Sequence, residues 1–235
     1  MITLATCLSK LFKLILKIVK WAVILFMALS VVGVLYYRFA PVRFTPLMGI
    51  RMMQALGNDE DPKCHHRWVP LDSISPYLPV AVIASEDQLF LQHHGFDFNS
   101  LKQVIEERQS GKRFRGGSTI SQQTAKNLFL WPGGWVRKGL ETWYTLLMEL
   151  TWPKERIMEC YLNSIEMGPG IYGAEAVAQE YFGCSAKELS RADCALIAAT
   201  LPNPRVMSSR HPSPYVRKRQ RQIQQQMRHI PFLKE

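Results

Sequence analysis

The run WAVILFMALSVVGVLYY, from Trp21 to Tyr37, carries no charge and is bounded by Lys20 and Arg38. At a helical rise of about 1.5 Å per residue it covers roughly 25 Å, and its aromatic ends and snorkelling Lys and Arg complete a bilayer span. The run therefore predicts a transmembrane helix over residues 21–37. Immediately before it, Lys10, Lys13, Lys17 and Lys20 recur at helical spacing, so they share one face among Leu, Ile, Phe and Val. Such a stripe lies against anionic lipid on the cytoplasmic side, which makes residues 1–20 a cytoplasmic basic segment and places everything after Arg38 outside. A cleaved signal peptide is the alternative. Against it, Arg38-Phe39-Ala40-Pro41 puts a charge where a small residue is wanted and offers no small-x-small cleavage site.

Residues 38–70 are rich in Pro, Met and basic residues without clear periodicity, and read as a membrane-proximal connection. A domain over 71–235 follows, in which helix signals dominate. Pro79 opens VAVIASED; Leu101, Val104, Ile105 and Arg108 form one helical face before a Ser110-Gly111 stop; Thr119 and Gln122 have capping-box spacing in STISQQTAKNLFL. WVRKGLETWYTLLMEL is a strong helix, Pro153 starts another that runs into CYLNSIEMGPGIYG, and Ser185 with Glu188 and Ser190 with Asp193 mark two further starts. Ser213-Pro214 opens a last helix. With no run of alternating strands, the domain is expected to be mostly α. Cys64, Cys160, Cys184 and Cys194 show no zinc-site spacing, and an extracytoplasmic location permits a disulfide among them without demanding one.

Three groups of residues invite chemistry. Glu86 and Asp87 end an apolar helix and face a loop with Phe90, His93, His94, Gly95 and Asp97; partial burial would make such a carboxylate a better base, whereas a solvated helix end is the plain alternative. GGSTISQQ sets two glycines and then Ser118, Thr119 and Ser121 at a helix start, where free N–H groups attract anions, with Lys126 one to two turns on. An ordinary glycine loop with an N-cap explains it equally, and the P-loop order is missing. Arg137 and Lys138 stand four and three residues from Glu141 on one helix, as a surface ion pair also would. Together, a carboxylate cluster, an anion-friendly helix start and a carboxylate flanked by cations suit group transfer from a phosphate-bearing donor. The formal charge of +10, from 29 Lys+Arg against 19 Asp+Glu, agrees with an anionic partner without choosing one.

In order, SEDQLFLQHHG, GGSTISQQTAKN, RKGLE, ERIMECYLNSIEMGPGIYGAEAVAQEYFG and ADCALIAATLPNP resemble the successive motifs of the peptidoglycan glycosyltransferases of the penicillin-binding-protein type. The similarity runs from about Leu71 to the end. No S-x-x-K, which a penicillin-binding serine would need, occurs in the sequence, so the resemblance is to the monofunctional branch without transpeptidase activity. It implies a lysozyme-like, mostly helical lobe with a smaller membrane-proximal lobe, in the bacterial cytoplasmic (inner) membrane with the catalytic domain periplasmic. It implies lipid II and the growing glycan chain as substrates, membrane lipids as surroundings, and division or elongation proteins as the class of protein partner. A periplasmic domain meets no nucleic acid, so the basic YVRKRQRQIQQQMR reads as a solvated helix face.

By the same resemblance Glu86 matches the base that takes a proton from the acceptor sugar's 4-hydroxyl, and Glu141 the second catalytic carboxylate, beside the donor pyrophosphate. Ser118, Gln123, Lys126 and Arg137 match donor-holding positions. Asp87, Phe90, His93 and Gly95 shape the first motif, and Asp87, His93, Thr119, Gln122 and Lys138 complete the expected binding set. No metal-ligating residues are expected; a Mg or Mn ion arriving with the lipid pyrophosphate is compatible with the family. Ser121 stands where Thr is common, His94 lies in a variable slot, and Leu140 replaces a Lys of some members, which leaves the leaving group to Lys126, Arg137 or a metal. A mobile flap is expected at 108–117. The rival readings are a peptidoglycan-cleaving muramidase on the same fold and a membrane-tethered scaffold.

Overall fold

The computed structural model describes residues 4–58, 62–97 and 117–233, which fall into two compact units, Met1–Ala40 and Pro41–Glu235. The expected helical face at Leu101–Arg108 and all of the expected flap except Gly117 lie outside the described residues.

The smaller unit is one continuous helix, α1 (Leu4–Tyr37), so the lysine stripe and the apolar run share a single rod. Of the described helices, α1 has the length and composition to cross a membrane, over Leu8–Tyr37, and it fits a single-pass anchor.

The larger unit is mostly helical. It begins with α2 (Pro46–Gly57), where the Thr45 hydroxyl accepts from Met48 N–H at 3.3 Å and Pro46 occupies the first turn, so one first-turn donor is satisfied and another is absent. Within the stretch expected to be a connection there is thus a capped helix, followed by the strand β1 (His65–His66). After α3 (Tyr77–Glu86) come α4 (Ile120–Phe129), α5 (Trp135–Thr151) and α6 (Lys154–Ser164). The strands β2 (Glu166–Gly168) and β3 (Ile171–Tyr172) form an antiparallel hairpin, with β1 parallel to β3 in the order β1-β3-β2. Next, α7 (Ala174–Val177) passes into a wider π turn at Ala178–Phe182 that Gly183 closes at φ +68°, and α8 (Arg191–Thr200) and α9 (Pro214–Gln226) complete the chain. The strands are too short to print an alternating pattern, which is why the sequence shows only helices.

Packing follows side-chain chemistry. Leu78 to Ala84 of α3 are all buried, because the helix is wrapped by α8 and α9 and has no polar face to offer water. Around α4 pack α2, α5 and α6; the capping box of Thr119 with Gln122 forms as its spacing predicts, and so does that of Ser190 with Asp193 at α8. Ser213 caps α9.

Other starts and stops differ. The helix around VAVIASED begins at Tyr77, and Pro79 is accommodated because the first helical turn needs no N–H donors. Ser185 and Glu188 do exchange side-chain and backbone bonds, but over a single turn, not a helix. The helix begun at Pro153 ends at Ser164, since Ile165 is extended and leads into β2. Cys64, Cys160, Cys184 and Cys194 are free thiols, and burial pushes those of Cys160 and Cys194 up to about 12, so they act as apolar filler.

Candidate active site

The last residue of α3 is Glu86, and Asp87 follows as its C-cap. Asp87 is 6% exposed and turns inward, accepting from the Ile120 N–H at the start of α4 at 2.9 Å and from His93 Nε2 at 2.9 Å. An anionic side chain there satisfies a helix-start donor and complements the positive end of the α4 dipole. The Gly95 N–H donates to His93 Nδ1 at 3.0 Å, which leaves Nε2 as the protonated nitrogen facing Asp87. Gly95 holds φ +87°, and its carbonyl accepts from Thr119 Oγ1 at 2.7 Å. The first-motif loop is thus stitched to α4. Asp87, His93, Thr119 and Gln122, all expected to bind substrate, spend these polar atoms on one another and on the backbone.

Behind this loop Lys154 donates to the His93 carbonyl at 2.7 Å and to Glu149 at 2.8 Å, and its ammonium lies 4.6 Å from the centre of the Phe90 ring. Ser121 donates to the same Glu149 carboxylate, so α4, α5 and α6 meet under the loop.

Glu86 is only partly covered. Burial pushes its carboxyl above the usual range, against the Gln123 Nε2 donated to Oε2 at 3.1 Å and the nearby Arg219 guanidinium. The Arg219 guanidinium, from α9, also donates to the Ser85 carbonyl at 3.5 Å. Sequence reasoning missed Arg219 by treating the whole basic helix as solvated. Its signal was the spacing of Val216, Arg219, Gln220 and Ile223, which share the inward face of α9. Tyr161, fully buried on α6, was missed too: its hydroxyl is driven up by burial and then by Glu86 and Asp87.

One helix away, Glu141 is 2% exposed on α5 and receives Arg137 Nη1 on one oxygen and Lys138 Nζ on the other. Lys138 also approaches Ser118 Oγ at 3.4 Å, which brings the α4 start to the cations. Lys126, on α4, is lowered first by burial; Glu141 opposes that shift, Arg137 and Lys138 add to it, and Glu86 opposes it more weakly. A single ammonium therefore senses both carboxylates. Among the described residues it takes no hydrogen-bond partner, and the group of Lys126, Arg137, Lys138 and Glu141 carries 3 − 1 = +2 charges. Among the described residues no three His, Cys, Asp or Glu side chains gather to hold a metal ion, and both Glu141 oxygens are already taken by cations. That donor set does not fit a protein-held divalent ion.

A family model described as Transglycosylase matches residues 52–228, three quarters of the chain. The chain belongs to the transglycosylase family. The match takes in the larger unit from α2 to just beyond α9, and with it every side chain of the candidate site. Relatives bear this out at close range. A biosynthetic peptidoglycan transglycosylase of Bacteroides thetaiotaomicron is 54% identical over 93% of this chain and 89% of its own length. Those of Bdellovibrio bacteriovorus and Caulobacter vibrioides are 52% and 55% identical, covering 87% and 82% of this chain and 83% and 82% of their own. For a transglycosylase, the arrangement offers a partly buried carboxylate, Glu86, and a net positive group around Glu141, both contacted from α4 and its N-terminal approach. Those are the two requirements of transferring a sugar from a phosphate-bearing donor.

Proposed function

We propose that this transglycosylase polymerises lipid II into the β-1,4-linked glycan strands of peptidoglycan by an inverting displacement that releases undecaprenyl pyrophosphate. The observation that supports it is that α4 and its N-terminal approach reach both carboxylates: Gln123 Nε2 donates to Glu86 at 3.1 Å, and Ser118 meets Lys138, which pairs with Glu141. Glu86, made more basic by burial and oriented by Gln123, takes the proton from the acceptor's 4-hydroxyl as that oxygen attacks the anomeric carbon of the growing chain. The anomeric carbon–oxygen bond breaks, and its electron pair leaves on the pyrophosphate. Lys126, Arg137, Lys138 and the Ser118 hydroxyl surround the departing charge, so no protonating acid is needed. Glu141, held by two cations, sets their geometry and lowers the cost of gathering them.

One displacement inverts the α-linked donor to a β product without a covalent intermediate. Asp87, His93, Thr119 and Gln122 position the loop that carries the base. The anchor α1 keeps the enzyme on the bilayer that holds its lipid substrate, and the lysine stripe supports an N-terminus in the cytoplasm with the catalytic domain on the periplasmic side of the inner membrane. The test is incubation of the purified protein with lipid II in detergent. Lengthening glycan and free undecaprenyl pyrophosphate are expected; release of short sugars from finished glycan with no consumption of lipid II would mark a muramidase instead.

A further inference from the structure

Helix α5 reverses the pattern of a surface helix. Its four charged residues, Arg137, Lys138, Glu141 and Glu149, are all held in ion pairs. Its six most exposed residues are Trp135, Val136, Gly139, Thr142, Leu146 and Leu150, and none carries a charge. Residues 135, 139, 142, 146 and 150 recur at helical spacing, so they form one stripe along a helix about 25 Å long. Thr142 adds a hydroxyl, which donates within the helix to the Lys138 carbonyl at 3.1 Å. A helix that faces water carries charge on its outer side, as α9 does with exposed Arg217, Lys218 and Arg221. On α5, by contrast, Trp135 is 94% exposed and Leu150 73%, and exposed Trp131 widens the patch just before the helix starts. Contiguous apolar surface of this kind marks contact with something other than water.

What stands at the first turn of α5 indicates the partner. Trp131 and Trp135 are of the ring type concentrated at membrane interfaces, an apolar body with one N–H donor. The stripe lies across the helix from Arg137 and Glu141, so the side that holds the departing pyrophosphate and the apolar side are one helix width apart, about 10 Å. A lipid-borne pyrophosphate stays among the headgroups, a layer roughly 5–8 Å thick, so the far side of α5 reaches the acyl boundary. A convex ridge has no walls to enclose a single apolar chain, but it lies flush on a lipid surface, as interfacial amphipathic helices do. The chain also carries α1, which fits a membrane anchor, so the ridge needs no separate recruitment to a bilayer. We propose that the outer face of α5, from Trp131 to Leu150, rests in the membrane leaflet that holds the lipid substrate, as a second membrane contact besides the anchor. The depth argument rests on the lipid II reading of the site.

Tryptophan quenching reads this contact without reference to activity. The full chain is placed in nanodiscs of lipid brominated near the headgroup end of its acyl chains. Trp135→Phe should then show a smaller quenched component than wild type, by about one tryptophan's share, over the constant background from Trp21 in α1. Polymerisation gives a second readout. Leu146→Glu combined with Leu150→Glu puts charge on two exposed positions, so Tm in detergent should hold. Its KM for lipid II in nanodiscs should rise about tenfold, while its KM for a water-soluble short-chain analogue of lipid II in detergent stays at the wild-type value. Equal quenching of wild type and Trp135→Phe, or the same change in KM for both substrates, would overturn the inference and show the face covered by another segment of this chain or by a second copy. A wild-type chain quenched through Trp135 that leaves lipid II unconsumed would instead overturn the reading of the site while the membrane contact stands.

Discussion

Replacing Glu141 by Gln removes one charge and almost no volume at the point where the cations are gathered. In the native chain both carboxylate oxygens are engaged, one by Arg137 and one by Lys138, and the residue is 2% exposed. Two charge-assisted hydrogen bonds at about 1.5–3 kcal/mol each would sum to about 3–6 kcal/mol. That sum needs discounting, because the Lys138 side chain is 44% exposed and regains water when released, whereas Arg137 at 16% does not. We therefore expect a loss of about 2–3 kcal/mol, read as a fall in Tm of roughly 5–10 °C for a domain of this size. Polymerisation should fall further than stability does. Cations no longer pinned by Glu141 meet the departing pyrophosphate without preorganisation, which costs about 10²–10³ in kcat. Lys126 supplies an independent signature. Glu141 is the strongest influence keeping its proton on, so in the variant the ammonium deprotonates at lower pH and the alkaline fall in kcat moves towards neutrality. The assay is detergent-solubilised lipid II turnover across pH 6–10 beside thermal unfolding, with pH limits chosen to span about the Lys126 transition. Wild-type activity with an unmoved alkaline limb would refute the reasoning, whatever the change in Tm.

Further consequences can be read from the same contacts. Burial raises the Glu86 carboxyl above its unfolded value, so its contribution to stability is full below the ordinary Glu range and is lost as pH rises through the raised pKa. Glu86→Gln should therefore gain Tm relative to wild type at neutral pH and lose that gain in acid; a difference constant with pH would contradict it. Gly95→Ala would place a Cβ 2.8 Å from Thr145 Cγ2 and 2.9 Å from Glu149 Cγ at φ +87°, and a loss of about 1–3 kcal/mol is expected by denaturant titration. Lys154→Met strips the nearly buried Glu149 of its cation and frees the His93 carbonyl, for a loss of about 3 kcal/mol that Lys154→Arg partly restores; equal stability of Met and Arg variants would show that the charge has no part.

What the sequence disclosed and what it withheld divide along physical lines. Local patterns were legible: Thr119 with Gln122, Ser190 with Asp193 and Ser213-Pro214 are helix starts whose bonds lie within one turn, and Arg137, Lys138 and Glu141 are neighbours by helical geometry alone. Position at a helix end was legible for Glu86 and Asp87, but not the division of labour between them. That depends on the Ile120 N–H, 33 residues away, which holds Asp87 inward while Glu86 stays partly exposed. Thr45-Pro46 is an N-cap signature that the uneven mix of Pro, Met and basic residues around it obscured, so α2 read as connection. At Ser185 the opposite happened: correct capping bonds formed where too few residues follow to propagate a helix. Arg219 belongs to the site through tertiary packing of α9 against α3, and a charge-rich sequence hides a single inward-facing cation.

The central claim is that Glu86 removes the proton from the attacking hydroxyl. Its most direct test is the single-turnover rate of lipid II polymerisation by Glu86→Gln, measured with the substrate dissociation constant of the same preparation. Gln retains the acceptor that Gln123 bonds but cannot take a proton, so we predict a rate lowered by about 10²–10⁴ with substrate bound as tightly as by wild type. Polymerisation at the wild-type rate would contradict the account.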